Sequence, residues 1–445
     1  MGVMTLGALA PPVSAADSGS SATAATSADA VQQALNTLVR DDGMPAALAS
    51  VQGHDGRTRT YTAGLGDLAT GAPVPVDGQV RIGSNTKTFV AVVVLQLVAE
   101  RRVDLDADVD SYLPGLVRGE GIDGRHITLR QLLQQTSGLP NYRDYLGDDV
   151  RYYTPRESLG TALKHPAEFA SGTRWRYSNT NYVLAGLIVQ EVTGRPLAEQ
   201  IDRRIIKPLG LRHTYFPAPG DASIREPHPH GYYRESVDSP PHDITVIDPS
   251  WGWAAGQMVS TGSDLNRFFS ALLAGRLLPS AQLAQMRSTV PAEATFGPGS
   301  RYGLGLVSRP LPCGGLSWAT AAASRGTRPG AVPPTTVAPS ASQSPCSSPT
   351  GRPGGTSKAR WTPPCAAEPR RDHPVKAADR PDTTAGPSAW TATCGSCHRG
   401  VVLRRVISVQ TRVVMQNGWP AGSSRTLHRS GWGWVGGSTA PRASR

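Results

Sequence analysis

Ser84 and Lys87 lie three residues apart in RIGSNTKTFVAVVVLQLVAE (81–100), a spacing that puts two chemically complementary side chains on one helical face. A lysine entering an apolar segment must find partners or give up its proton, because desolvation disfavours the ammonium. Beside a serine hydroxyl, such a lysine can activate a nucleophile. The start of the helix adds a field that favours negative charge on the serine oxygen. Gly83, just before the serine, is read as a point where another group approaches the backbone closely. Taken alone, Ser-x-x-Lys also fits an N-capping serine followed by a solvated first-turn lysine.

A second cluster, WRYSNTNY, holds Tyr177 and Asn179 ahead of a strongly apolar stretch. A phenol close to a lysine ammonium ionises more readily and could carry protons to and from a nucleophilic serine. An asparagine amide offers both a donor and an acceptor, which suits it to grip a substrate amide. The same residues also fit a plain helix start, with Asn179 or Thr180 as the cap.

The elements that must position these groups are legible in outline. PAALASVQ and TRTYTAGLGDLATGAPV read as two strands joined in a hairpin near Gly53 to Gly56. From Phe89 the segment FVAVVVLQLVA is apolar nearly all round, the pattern of a helix buried on every side. ITLRQLLQQTSGL (127–139) predicts a helix ended by Ser137-Gly138. Two more helices are predicted on either side of Gly194-Arg195-Pro196, and another over 263–278 capped by Ser263 or Asp264. RYGLGLVSR (301–309) is β-like. Strands, then helices, then a strand suit an α/β sheet domain with a helical insert, the two ends of the chain sharing one sheet.

Composition divides the chain in two. Residues 1–317 carry a net charge of −2, and residues 318–445 carry +13. The later segment has two leucines, one isoleucine, no Phe or Tyr, and 15 of the 38 prolines. Such a segment buries too little apolar surface to offset its ordering entropy, so disorder is its default. Nucleic-acid binding is not supported, because the earlier part is mildly acidic and its basic residues are scattered. MGVMTLGALAPPVSAADS, with a small-residue site near Ala15 and no basic residue before Arg40, reads as a truncated secretory leader, and a secreted protein is expected. No stretch reaches the length of a membrane span. CGSCH (394–398) matches a c-type haem attachment pattern but lies in the segment without core-forming residues, and coincidence is the reading taken. No cofactor and no metal are expected.

The order Ser-x-x-Lys, then Tyr-x-Asn about ninety residues on, resembles the penicillin-recognising serine hydrolases. The nearest likeness is to actinobacterial D-alanyl-D-alanine carboxypeptidases, with class C β-lactamases and related esterases as cousins. VRIGSNTKTFVAVVVLQLV, ITLRQLLQQTSGL, YSNTNYVLAGLIVQEVTG, IIKPLGLRHTYF, SWGWAAGQMVST and YGLGL carry the likeness in order across residues 30–317. Gln135 departs from it, standing where relatives often have histidine. The resemblance implies a β-lactamase/transpeptidase-like α/β fold, an antiparallel sheet flanked by helices plus a mostly helical subdomain. It implies Ser84 as the acylated nucleophile, Lys87 and Tyr177 as proton-handling partners, and Asn179 as a substrate ligand. The backbone N–H of Ser84 would contribute to an oxyanion hole. Trp251 would line the cleft, or serve only in packing.

Such enzymes carry a third element, Lys-Thr-Gly or His-x-Gly, on a strand beside the nucleophile. Here the expected place reads ATAAASRGTRPG after Trp318. One base restored after codon 318 would permit Trp-Gly-His-Gly-Gly-Gly-Ile-Pro-Gly-Tyr. Three segments are therefore expected: a leader remnant and linker over 1–28, an incomplete hydrolase domain over 29–317 lacking its C-terminal strands, and a frameshifted, disordered tail over 318–445. The activity implied is removal of a terminal D-Ala from peptidoglycan peptides through a serine acyl-enzyme. The alternatives are a β-lactam or an ester as substrate, or an inactive penicillin-binding remnant. Arg309, on the strand face of Val307, is placed to meet a substrate carboxylate, or it is a surface arginine before Pro310. A monomer is expected.

Overall fold

The computed structural model describes residues 30–53, 55–146, 151–234, 239–311 and 315–320, together with the backbone of 406–410. All of them fall within one compact unit. Helix α1 (residues 30–40) leads into strand β1 (Ala46–Gln52), which turns back antiparallel into β2 (Thr58–Gly64) as the predicted hairpin. Strand β1 is covered on both faces. Ala47 and Ala49 pack with Leu35 of α1, while Ser50 on the alternate face accepts from Asn266 Nδ2 at both its carbonyl and its hydroxyl. The period of two in a strand produces this division.

The short strand β3 (Val80–Arg81) leads through a 3₁₀ turn, Gly83–Asn85, into helix α2 (Thr86–Ala99). Eleven of the fourteen residues of α2 are buried, among them Phe89, Val90, Val92 and Leu95. Each large apolar side chain buried this way contributes roughly 1.5–3 kcal/mol, which lets the helix tolerate a buried lysine. Gly83 sits at φ +50° with open space where a Cβ would be. Its role is therefore conformational, correcting the expectation of a close backbone approach.

Around α2 lie α3 (Leu129–Gln134), α4 (Pro155–Leu163), α5 (Asn179–Thr193), the single turn α6 (Trp253–Gly256), α7 (Gly262–Leu273) and α8 (Ser280–Met286). Helix α5 packs directly on α2, α3 and α4. Phe89 of α2 stacks on Phe268 of α7 at 3.8 Å between ring centres. Two predicted boundaries are corrected. Helix α3 ends at Gln134, with Gln135 as a left-handed cap at φ 68°, before the Ser137-Gly138 pair is reached. Helix α7 is capped by Thr261, whose hydroxyl accepts from the Asp264 N–H, because Asp264 is already engaged by His213 and Thr214.

The strand β4 (Val259–Ser260) pairs with β3, and β5 (Val290–Pro291), β6 (Arg301–Tyr302), β7 (Val307–Pro310) and β8 (Leu316–Ala319) form a four-stranded antiparallel sheet. β8 crosses the predicted 317/318 boundary. Trp318 is buried in the main core, and the Thr320 hydroxyl contacts that of Thr88, on the turn of α2 after Lys87. The strand expected to carry the third element thus lies beside the nucleophile helix, with Ala319 and Thr320 in the sequence where Gly-His would stand. A further strand, β9 (Val406–Gln410), pairs antiparallel with β1. The expectation of a strandless tail is corrected there: Val-Ile-Ser-Val-Gln is rich in β-branched residues, and β1 offers it an edge opposite β2. The CGSCH motif lies outside the described residues. Among the described residues no helix is long and apolar enough to cross a membrane.

Gly138 fixes the loop that supports the candidate site. It has φ +77°, and a Cβ there would meet the Phe169 carbonyl oxygen at 2.1 Å. Gly138→Ala is expected to destabilise the fold by more than about 1 kcal/mol, since both the backbone conformation and the space are incompatible. Urea unfolding of the two proteins checks this, and an unchanged midpoint would remove Gly138 from the supporting frame.

Candidate active site

Lys87 is fully buried, and its Nζ has three oxygen neighbours: Ser84 Oγ at 3.0 Å, Asn179 Oδ1 at 2.8 Å and the Ala255 carbonyl at 2.7 Å. The last two can only accept, so they take two N–H bonds of the amine. In the neutral amine these two contacts use both hydrogens and leave the lone pair facing Ser84. Among the described residues no carboxylate ion-pairs with Lys87, and burial holds its ammonium well below the usual lysine range. The predicted pairing of a deprotonation-prone lysine with a serine on one helical face is what the structure presents.

Ser84 is half-buried on the 3₁₀ turn at the mouth of α2. Its Oγ and the Tyr177 hydroxyl are 2.6 Å apart. The expected easing of Tyr177 ionisation is corrected. Burial holds the phenol well above its ordinary value and the Tyr302 phenol adds to this, while the Ser84 hydrogen bond opposes both only in part. Geometry gives the reason: Lys87 Nζ sits over the face of the Tyr177 ring, 4.8 Å from its centre, rather than against the hydroxyl. Burial thus favours the neutral form of both the Tyr177 phenol and the Lys87 amine, and either hydroxyl of the Ser84–Tyr177 pair can be the donor. Asn179 is the first residue of α5, and Ser178 takes the cap position without a side-chain capping bond. The amide of Asn179 is thus available to Lys87 instead of to its own helix.

Several groups outside the predicted set hold this arrangement. The Ala255 carbonyl on α6 carries no residue-type signal and could not have been found from sequence. The Asn141 side chain accepts from the Asn179 N–H at 3.0 Å. Tyr142 is buried, and its N–H donates to Thr180 Oγ1. A run of polar residues after α3 that has no charge and no periodicity is the one visible trace of this support.

Trp251 and Arg309 are less closely tied to the serine. Trp251 accepts from the Tyr142 hydroxyl at its carbonyl, 2.5 Å, and the Arg143 guanidinium covers its ring at 4.5 Å. Its indole Nε1 is buried without a hydrogen-bond partner among the described residues. Arg309 lies over the Phe296 ring at 5.9 Å. Phe296 in turn meets the Tyr177 ring edge-on at 6.3 Å. Arg309 has no ion-pair partner among the described residues, its Nε is buried without an acceptor, and burial lowers its pKa. It shares the Val307 face of β7, as predicted: both meet the small aromatic cluster of Phe296, Tyr302 and Trp175.

Between its depressed value and 10.5, Lys87 binds fewer protons in the folded chain than in the unfolded one. Its contribution to stability therefore rises with pH across that window. Lys87→Met is expected to flatten that rise in urea unfolding measured at neutral and mildly alkaline pH. An unchanged pH slope would mean that Lys87 remains protonated in the fold.

Similarity to known proteins agrees with this geometry. The family model described as Beta-lactamase matches residues 31–337, well over half the chain. Esterase EstB of Burkholderia gladioli is 34% identical over 207 residues, 43% of this chain and 52% of its own. The "Putative D-alanyl-D-alanine carboxypeptidase" of Salmonella typhimurium is 27% identical over 277 residues, 53% of this chain and 64% of its own. The chain thus spans about half to just under two thirds of the length of these curated relatives. The crystal structure of a D-stereospecific amidohydrolase from Streptomyces sp. superposes with a TM-score of 0.62 at 39% identity, covering 71% of this chain and 90% of that one. Family match and fold together identify the chain as a member of the Beta-lactamase family, serine hydrolases of the β-lactamase/transpeptidase-like α/β fold.

Proposed function

We propose that this chain hydrolyses small amides and esters of D-amino acids through an acyl-enzyme on Ser84. The observation that carries the reading is the neutral-leaning Lys87 amine, its lone pair directed at Ser84 Oγ by two oxygens that can only accept. As Ser84 Oγ attacks the substrate carbonyl carbon, Lys87 takes the hydroxyl proton. The Tyr177 phenol, 2.6 Å from that oxygen, hands a proton to the leaving amine or alcohol. It is reprotonated by way of solvent water with the proton that Lys87 took, because the acylated Ser84 oxygen has none to pass on. Cleavage leaves an ester on Ser84, and water releases it by the same proton path in reverse. Helix starts leave first-turn N–H groups unbonded, and the Ser84 N–H is suited to the developing oxyanion. The Asn179 Nδ2 faces away from Lys87 and is the group assigned to the substrate amide.

The choice of D-aminoacyl amides and esters over peptidoglycan peptides follows the extent of similarity. The D-stereospecific amidohydrolase is matched over 90% of its length at 39% identity, and the carboxypeptidase over 64% at 27%. One observation favours carboxypeptidase action as a second reading: Arg309 is a half-buried cation without a carboxylate partner, separated from Tyr177 by a single ring.

The substrate assignment is tested by assaying D- and L-phenylalanine amide and methyl ester, a D-Ala-D-Ala peptide with its C-terminal amide, and a chromogenic β-lactam. The D-aminoacyl compounds are expected to turn over fastest, with all turnover lost in Ser84→Ala. Activity that survives Ser84→Ala, or a preference for the L-enantiomers, would overturn the reading. Lys87→Ala should slow acylation by about 10²-fold or more, the usual range for a general base, and Lys87→Arg should not rescue it because a guanidinium stays protonated. If Arg309 reads a carboxylate, Arg309→Ala weakens turnover of the free-acid peptide about tenfold more than that of its amide, as for a lost charge-assisted hydrogen bond. Equal losses would discard the carboxypeptidase reading.

A further inference from the structure

Gln135 lies outside the reacting triangle, is fully buried, and stands in the left-handed conformation at φ 68° just past α3. Its side-chain oxygen accepts twice, from the Ser178 N–H at 2.9 Å and from Asn181 Nδ2 at 2.6 Å. Its own carbonyl accepts from the Arg176 N–H at 3.0 Å. One residue therefore holds the backbone immediately before Tyr177 and the backbone between Tyr177 and Asn179.

The orientation of the amide is dictated by its neighbours. Ser137 Oγ donates to Asn181 Oδ1 at 2.5 Å and accepts from the Leu139 N–H. Asn181 must then present its NH₂ to Gln135, and Ser178 presents an N–H, so only the oxygen of Gln135 fits between them. The Nε2 side lies against the Tyr302 phenol without a hydrogen bond of full geometry. The bonds from Leu139 through Ser137 and Asn181 thus run one way to the Gln135 oxygen, where the Ser178 N–H donates from the other side. That N–H belongs to the peptide that joins Tyr177 to Ser178.

We propose that Gln135 is a positioning residue for Tyr177 and Asn179, and that its amide oxygen sets the distance between the Tyr177 hydroxyl and Ser84. The proposal rests on the reading of Ser84 as an acylated nucleophile. Small displacements suffice to matter, because a proton handed between oxygens requires the 2.6 Å approach seen here. Without the acceptor, the Ser178 N–H and Asn181 Nδ2 are left buried and unpaired. The segment must then move to satisfy them, carrying Tyr177 with it.

The test compares Gln135→Met, close in volume but with no acceptor, with Gln135→Glu, which presents an oxygen to both donors in either protonation state. Single-turnover acylation by a fluorescent β-lactam or an activated ester gives a rate constant per folded molecule, independent of the folded fraction. The Met variant is expected to acylate at least about tenfold more slowly at saturating ligand, with little change in the concentration for half-maximal rate. The Glu variant is expected to recover to within about threefold of the parent. A Met variant that acylates at the parent rate, or a folded Glu variant as slow as the Met variant, overturns the proposal. If the Met variant does not fold, a Glu variant at the parental rate supports the proposal and a slow one overturns it. Absence of Ser84-dependent acylation in the parent protein would instead count against the proposed function.

Discussion

A buried amine with no counter-ion among the described residues is the constraint on which the site depends. Lys87 is enclosed by α2, α5 and the α6 turn, and its partners are a hydroxyl, an amide oxygen and a carbonyl. A carboxylate in any of those places would hold the ammonium protonated and remove its basicity. Neutral oxygens satisfy its hydrogens without stabilising its charge. The cost of burying the group falls on the fold, and the apolar remainder of α2, packed from Phe89 to Leu97, offsets it.

That constraint explains why so many uncharged polar residues gather where α3 and α5 meet. Ser178, Gln135, Asn181 and Ser137 form one hydrogen-bonded group of uncharged side chains, while Asn141 accepts from the Asn179 N–H and donates in turn to Asp144 Oδ1 at 3.1 Å. The amine itself faces phenol rings, those of Tyr177 and Tyr182, and Tyr302 lies beside both phenols. Burial pushes them away from ionisation, Tyr302 to about 12 and Tyr177 well above its ordinary value. Of the three groups, the lysine is the one that burial shifts toward its proton-accepting form.

The sheet side of the site is built differently. β7 sets Arg309 over Phe296, β8 leads Thr320 onto Thr88 of α2, and the hairpin β1–β2 joins β9 in a separate ladder. Arg309 projects onto an aromatic surface made by Phe296, Trp175 and Tyr302, and this surface also packs against Tyr177. A guanidinium and a phenol thus share one apolar wall.

Residue type and spacing placed Ser84 and Lys87 within reach of each other at the start of a nearly all-apolar helix. They left a solvated first-turn lysine open, and it was the order of motifs along the chain that singled out the pair. The alternation of β1, the glycine stop of α5 at Gly194 and the cation on the Val307 face of β7 were likewise legible, because each follows from a local period or a backbone preference. Tertiary structure decided what the lysine touches. The Ala255 carbonyl comes from 168 residues away, and a backbone carbonyl leaves no trace in residue type. The state of Tyr177 was decided in the same way. A phenol near a lysine in sequence logic became a phenol whose ring, not its hydroxyl, faces the amine, and burial then outweighed the expected attraction. The segment after Trp318 was read from composition, which reports average apolarity but not a five-residue β-branched run. Such a run forms a strand only when an unpaired edge is presented to it, and only the folded β1–β2 hairpin supplies that edge.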